Sequence, residues 1–167
     1  MVLGMSLSTF TTVHVVISLV GIFSGFVTVY GMLNGSRLDW RNTLFLVTTI
    51  LTSVTGFLFP LSGLTPAVIF GIISLIVLAI ALAALYAFHL GGAWRWIYVV
   101  TALFALYLNS FVGVVQSFQK LAFLRPLAPT QSEPPFAIAQ LILLALMLWL
   151  GYRAVKTFHP SMSPAGS

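Results

Sequence analysis

The sequence predicts an all-α membrane protein, a compact bundle of five transmembrane helices with the amino terminus outside and the carboxyl terminus cytoplasmic. Of its 167 residues, 60% are hydrophobic and only 5% are charged, whereas about a quarter of a soluble domain is charged. The apolar residues form five runs, each near the roughly 20 residues that a helix needs to cross the hydrocarbon core. The few basic residues lie at the ends of these runs, which is typical of membrane topology signals.

Residues that cap or break helices separate the five runs. Asp39, Thr65 and Ser132 are candidate N-caps, and Pro66 suits the first position of the third helix. The fourth helix is expected to continue past its span towards Arg125, because no helix breaker precedes residue 126. The predicted spans, within one domain covering residues 1–167, are 8–33, 40–59, 66–90, 94–120 and 136–158.

The distribution of basic residues predicts the orientation. On one side the connections and the last helix end carry five of them, Arg37, Arg41, Arg95, Arg153 and Lys156. The other side carries two, Lys120 and Arg125, and Glu133 in the facing loop is a candidate partner for one of these. The positive-inside rule therefore places the carboxyl terminus in the cytoplasm.

The fourth span carries a line of polar and small residues through its apolar body. Asn109, Gly113, Gln116 and Lys120 are spaced at i, i+4, i+7 and i+11 and so share one helical face. An unpartnered amide in hydrocarbon costs several kcal/mol. This face is therefore expected to point towards other helices, which makes the fourth helix the inner member of the bundle.

The first span has a comparable stripe, formed by His14, Ser18, Gly21, Gly25 and Thr28. Gly21 and Gly25 have the GxxxG spacing that lets a second backbone approach closely. Together with Gly113, they are the predicted helix-packing residues. The stripe can serve packing within the monomer, a contact between copies, or a ligand groove.

The predicted topology brings several polar residues to a similar depth in the outer leaflet. The candidate ligand-binding residues are His14, Thr55, Asn109, Gln116 and Lys120. Imidazole and amide groups between apolar walls can donate hydrogen bonds to a carbonyl ligand. The alternative interpretation is that these groups hydrogen-bond one another and only hold the bundle together.

The inventory of reactive side chains favours a protein without catalytic activity. The sequence has no cysteine and only two acidic residues, which are predicted to lie in loops on opposite faces, so no carboxylate pair or metal site is expected. His14 and His89 are predicted at opposite membrane faces, too far apart to hold one haem together. Ligation of haem by His14 alone stays open. The scattered basic residues do not form a nucleic-acid patch.

Three segments carry a family resemblance: TSVTGFLFP at 52–60, YAFHLGGAWRWIYVVTALFALYLN at 86–109 and LAPTQSEPPF at 127–136. In these segments the chain resembles a family of small, uncharacterised bacterial membrane proteins with several spans. The resemblance covers residues 14–154 and implies a location in the bacterial inner membrane. It implies no activity, cofactor or catalytic residue.

Two functions follow as hypotheses. The first is a non-enzymatic accessory or structural protein, a small subunit or assembly factor of a larger membrane complex, whose partners are the lipid bilayer and other membrane proteins or further copies of itself. The second is a binding protein for a hydrophobic ligand such as a quinone, a lipid or haem, held near His14 and Gln116. No cofactor is predicted under the first hypothesis.

Overall fold

The computed structural model describes residues 2–36, 38–60 and 63–160. Within these ranges the chain is helical and contains no β-strand. Its five α-helices are α1 (Leu7–Leu33), α2 (Trp40–Gly56), α3 (Pro66–Leu82), α4 (Trp94–Lys120) and α5 (Pro134–Thr157). A π-helical turn, Ala83–Ala87, extends α3, and a short 3-10 turn, Arg125–Leu127, lies between α4 and α5. The predicted all-helical architecture is confirmed.

Four of the helices are long and apolar enough to cross a membrane: α1, α3 with its π-helical turn, α4 and α5. The mean hydropathy of their most apolar stretches is 1.9 to 3.0. Helix α2 has 17 residues and so extends about 25 Å, slightly less than the roughly 30 Å of a hydrocarbon core. Five spans therefore remain a prediction, and α2 is the helix on which it depends.

Helix α2 ends at Gly56, and the prediction that it continues to residue 59 is wrong. The aromatic side chains that follow Gly56 pack against other helices. A Cβ atom on Gly71 would lie 2.8 Å from Cζ of Phe57, and the ring of Phe59 lies 5.0 Å from that of Phe10, measured between centroids. Pro60 also disfavours the α conformation in the residue before it.

Helix α3 was predicted to continue to Leu90, but its α-helical part ends at Leu82. The chain then widens into the π-helical turn, in which Phe88 N donates to Ala83 O at 3.0 Å, and after it Leu90 N donates to Ala84 O at 2.9 Å. His89 and Leu90 have φ angles of 47° and 58°, a left-handed conformation that terminates helices. The chain therefore stops being helical before the glycines at 91 and 92.

Helix α4 ends at Lys120 instead of continuing towards Arg125. Leu121 is extended, and its carbonyl accepts from the backbone N–H groups of Leu124 and Arg125 in a new turn. The N-cap of α5 is Glu133, not the predicted Ser132. Two prolines occupy the first turn of α5, and because they lack N–H groups they leave fewer donors for a side chain to cap. Asp39 and Thr65 cap α2 and α3 as predicted.

Helix α4 lies at the centre of the bundle and contacts all four other α-helices. Half of its most apolar stretch is buried, compared with 28% or less in α1, α3 and α5. The largest part of the core consists of α4 side chains, among them Tyr98, Val99, Ala105 and Leu106, which have no exposed surface. The position of α4 fixes where its polar face lies.

Polar contacts join four helix ends at one end of the bundle. Arg95 Nη1 donates to the carbonyls of Val155 and Phe158 at 2.7 and 2.6 Å. Thr157 Oγ1 donates to Met32 O at 3.1 Å, and the buried Tyr98 hydroxyl donates to Asn42 Oδ1. The basic residues that were grouped on the predicted cytoplasmic side lie on these helix ends, except Arg37, which is outside the described residues.

Candidate functional site

A polar seam lies between α1, α2 and α4. We define it by Ser18, Gly21, Thr48, Thr49 and Asn109. Ser18 Oγ donates to Asn109 Oδ1 at 2.9 Å, and Asn109 Nδ2 donates to Ser18 O at 3.4 Å. The two hydroxyls of α2 donate to carbonyls of their own helix. The seam is closed by hydrogen bonds within the chain.

Glycine at position 21 lets the three helices of the seam meet. A Cβ atom on Gly21 would lie 3.2 Å from Asn109 Nδ2 and 3.2 Å from Thr48 Oγ1, tighter than ordinary contact. A Cβ atom on Gly25, one turn further along α1, would lie 2.6 Å from Leu106 Cδ1. On Gly113 it would lie 3.3 Å from Ile22 Cδ1. All three glycines therefore face helices of the same chain.

His14 forms a hydrogen bond with α2. Thr55 Oγ1 donates its single hydrogen to Leu51 O at 2.6 Å, so it accepts the hydrogen bond from His14 Nδ1 at 2.8 Å. This arrangement assigns the proton to Nδ1 and leaves Nε2 as an acceptor. The edge of the imidazole packs on Phe59, with 5.1 Å between ring centroids.

Hydrogen bonds do not join the five candidate ligand-binding residues into one network. His14 pairs with Thr55, and Asn109 pairs with Ser18 one to two turns away. Gln116 and Lys120 lie on the same end of α4, and no hydrogen bond joins either side chain to His14 or Thr55. The two cavities described below include none of the five.

The Ser18–Asn109 contact gives the first testable prediction. Ser18→Ala removes the hydrogen bond between the two side chains, and Asn109→Ala removes this bond together with the one to Ser18 O. Interhelical hydrogen bonds average about 0.6 kcal/mol in membrane bundles. We expect a double-mutant cycle of Ser18→Ala and Asn109→Ala, measured by unfolding in mixed detergent micelles, to give a coupling free energy of about 0.6 kcal/mol. A coupling indistinguishable from zero would mean that the two side chains do not meet in the folded protein.

A cavity of about 160 Å³ lies where α1 ends and α2 begins. We call it the α1–α2 cavity. It is lined by Val27, Thr28, Tyr30, Gly31, Met32, Asn34, Ser36, Leu38, Asp39, Arg41 and Asn42. The Arg41 Nε donates to Asp39 Oδ2 at 2.9 Å, which forms an ion pair at the rim. In the sequence, Asp39 is a cap, Arg41 is a topology signal and Thr28 belongs to the stripe of the first span; no cavity was predicted from them.

A second cavity, of about 340 Å³, lies under the loop between α4 and α5. It is lined by Phe118, Gln119, Arg125, Ala128, Pro129, Thr130 and Gln131. Side-chain hydrogen bonds tie the loop to α4, since Gln131 Nε2 donates to Val115 O at 2.9 Å and Gln119 Nε2 donates to Gln131 Oε1 at 3.3 Å. The polar groups of this loop are largely engaged with the chain itself.

Glu133 caps the same loop and does not pair with a basic residue. Its carboxylate accepts from Thr130 N, Thr130 Oγ1 and Ser132 N at 3.2, 2.8 and 3.0 Å. Desolvation, the largest single effect, raises the pKa of the carboxyl, but these hydrogen bonds together outweigh it and hold the pKa below its ordinary value. The proposed partnership of Glu133 with Lys120 or Arg125 is absent from the described residues, whose one ion pair is Arg41–Asp39.

Among residues 2–36, 38–60 and 63–160, no three acidic or histidine side chains come together as metal ligands. No protein-family model, curated protein or solved structure matches the chain. Fold and site together define a class: an all-helical bundle with four helices of membrane-spanning length, an internal polar seam and two polar cavities at helix ends.

Proposed function

We propose that the chain is an integral protein of the bacterial inner membrane that spans the bilayer five times and has no catalytic activity. It acts as a small accessory or structural subunit that packs beside larger membrane proteins. The observation that supports this most is the internal use of its polar side chains. His14 with Thr55 and Ser18 with Asn109 form pairs inside the chain, so the groups best suited to chemistry serve helix packing.

The short connections support a role within the membrane plane. The longest described connection, residues 121–133, is folded against the end of α4 by the hydrogen bonds of Gln119 and Gln131. The outer surface of the helices is strongly apolar, as on α5, where Leu141, Ile142 and Leu148 are more than 60% exposed. In water such a surface would drive association, whereas lipid accepts it at no cost.

Cysteine labelling tests the five spans. The sequence has no cysteine, so Ser36→Cys, Leu64→Cys and Thr130→Cys each introduce one reporter thiol in a connection. In intact cells, we expect a membrane-impermeant thiol reagent to label positions 64 and 130 but to label position 36 only after permeabilisation. Labelling of positions 36 and 64 from the same side would show that α2 does not cross the bilayer.

Purification from the native membrane tests the role itself. The chain is isolated in mild detergent, and co-purifying molecules are identified by mass spectrometry of the intact assembly. A larger membrane protein at fixed stoichiometry is the expected result. A lone chain without any protein partner would contradict the accessory role.

A ligand-binding function near His14 is the second candidate, and the free acceptor at His14 Nε2 favours it. Nε2 can accept a hydrogen bond or ligate a metal, and Phe10 and Phe59 supply apolar walls. A quinone, lipid or haem that co-purifies with the wild-type chain and is lost from a folded His14→Ala variant would support this function. Retention of the ligand by His14→Ala would exclude the site.

A further inference from the structure

A buried side chain in the lining of the α1–α2 cavity has a polar atom without a partner. Thr28 is 6% exposed and Asn42 is 3% exposed. No described residue forms a hydrogen bond with Thr28 Oγ1. Asn42, by contrast, is held by its hydrogen bond with the Tyr98 hydroxyl. The unpartnered Thr28 hydroxyl is unusual, because buried polar groups normally have a hydrogen-bond partner.

A positive charge lies at the rim of the same cavity. Asp39 accepts from Arg41 N at 2.9 Å and from Arg41 Nε at 2.9 Å, so the carboxylate fixes both the backbone and the guanidinium. The two terminal nitrogens of Arg41 donate to no described residue. A guanidinium held in this way presents its planar fork to phosphate oxygens, which it binds in bidentate fashion. The cavity thus combines a guanidinium, paired with Asp39 through Nε, and one neutral donor, Thr28 Oγ1. Both the free side of the guanidinium and the hydroxyl suit an oxygen-rich anion.

An apolar stripe on α1 leads to the cavity. Phe23, Val27 and Tyr30 are spaced at i, i+4 and i+7 and share one helical face. Phe23 is 74% exposed and Tyr30 is 69% exposed, while Val27 and Tyr30 also line the cavity. A ligand that occupies both features must have a polar, anionic part and an apolar chain, which a free phosphate ion lacks.

The position of the cavity fits the headgroup region of a bilayer. It lies between the last turn of α1 and the first turn of α2, at the end of the bundle that carries exposed Trp40 and Tyr30. Aromatic residues of this kind mark membrane interfaces. The cavity is also well above the roughly 10–15 Å³ that a single water requires by this measure.

We propose that the α1–α2 cavity binds the phosphate diester of a membrane phospholipid. Arg41 contacts the phosphate oxygens, Thr28 Oγ1 donates to an oxygen of the headgroup, and one acyl chain lies along Phe23 and Tyr30. The proposal rests on the membrane location argued above. It is independent of whether the chain has a protein partner.

Native mass spectrometry of the purified full chain tests the site. The chain is titrated in detergent with phosphatidylglycerol, phosphatidylethanolamine, phosphate-free diacylglycerol and inorganic phosphate. We expect phospholipid adducts to persist where diacylglycerol adducts do not. Arg41→Gln should weaken phospholipid retention about tenfold, the equivalent of one charge-assisted hydrogen bond. Thr28→Val should weaken it severalfold without lowering Tm, because Thr28 Oγ1 has no partner within the described chain.

Two matched control variants test whether a loss of phospholipid retention is specific to the α1–α2 cavity. Arg153→Gln removes a positive charge from the same end of the bundle, and Thr49→Val removes a buried hydroxyl of α2 outside the cavity. Both variants should retain phospholipid as the wild type does. An equal loss of phospholipid retention in Arg41→Gln and Arg153→Gln would overturn the proposal. Competition by inorganic phosphate as strong as that by phospholipid would also overturn it, because it would show an anion site that does not recognise lipid.

A flotation assay distinguishes a failure of the proposed membrane location from a failure of the proposed lipid site. If the wild-type chain fails to float with vesicles, the membrane location fails and the lipid site fails with it. If the wild type and Arg41→Gln both float and retain phospholipid equally, only the lipid site fails.

Discussion

Replacing Gly25 by alanine is expected to destabilise the bundle by about 1–3 kcal/mol, and replacing it by leucine to destabilise it by more. A single Cβ atom at this position would lie 2.6 Å from Leu106 Cδ1 and 2.9 Å from Phe45 Cδ2. Both neighbours are almost fully buried, so neither can move away without displacing a further helix. Unfolding in mixed detergent micelles, or the shift in Tm, measures the change.

Two other glycines turn this prediction into a graded series. On Gly113 a Cβ atom would lie 3.3 Å from Ile22 Cδ1, and on Gly31 it would lie 3.8 Å from Ser36 Cβ. We expect Gly113→Ala to cost less than Gly25→Ala. Gly31→Ala, in the same helix as Gly25, should be neutral or stabilising by up to about 1 kcal/mol, because alanine favours helix. If all three variants had equal stability, α1 would not approach α2 and α4 as closely as the structure shows.

The helices could be predicted from the sequence because length and apolarity decide them, but their ends could not. The end of α2 depends on where the rings of Phe57 and Phe59 find partners, Gly71 on one side and Phe10 with His14 on the other. The end of α3 depends on a left-handed conformation at two successive residues, His89 and Leu90, which is uncommon outside glycine. The end of α2 is therefore accompanied by tertiary contacts, and the end of α3 by an unusual local conformation.

The candidate site was predictable where helical spacing defines it. The stripe of Ser18 and Gly21 and the position of Asn109 indicated faces that the structure brings into contact. Spacing within a helix does not say which neighbour a face meets. His14 was grouped with both Thr55 and Gln116 by predicted depth, and its hydrogen bond is with Thr55 of α2.

The α1–α2 cavity was missed for a different reason. Asn42 and Tyr98 lie in the first turns of two helices that begin at the same end of the bundle. Each residue alone is an ordinary interfacial residue. A comparison of polar residues by depth, instead of by helix, could have paired them, because the second and fourth spans were both predicted to begin at the cytoplasmic face. The unpartnered Thr28 hydroxyl has no signal in the sequence, since serine and threonine in helices usually donate to their own backbone.

Arg95→Met is expected to release the end of α5, at a cost of about 2–3 kcal/mol in the free energy of unfolding. Arg95 lies in the first turn of α4, where the helix dipole disfavours a cation. Its guanidinium instead donates to Val155 O and Phe158 O, carbonyls at the end of α5, where the dipole favours positive charge. Methionine keeps the apolar stem and removes both hydrogen bonds, so trypsin cleavage after Lys156 should become faster.

The controls for Arg95 separate hydrogen bonding from charge. Arg95→Lys keeps the charge but lacks the planar fork that reaches two carbonyls, so its cost should fall between those of the wild type and Arg95→Met. Arg153→Met removes an exposed cation that lies 5.6 Å from the centroid of the Trp149 ring, and it should cost less than about 1 kcal/mol. If Arg95→Met and Arg153→Met had equal effects on stability and on cleavage after Lys156, Arg95 would act only as a topology signal. A larger effect of Arg95→Met would show that this basic residue also joins the central helix to the last one.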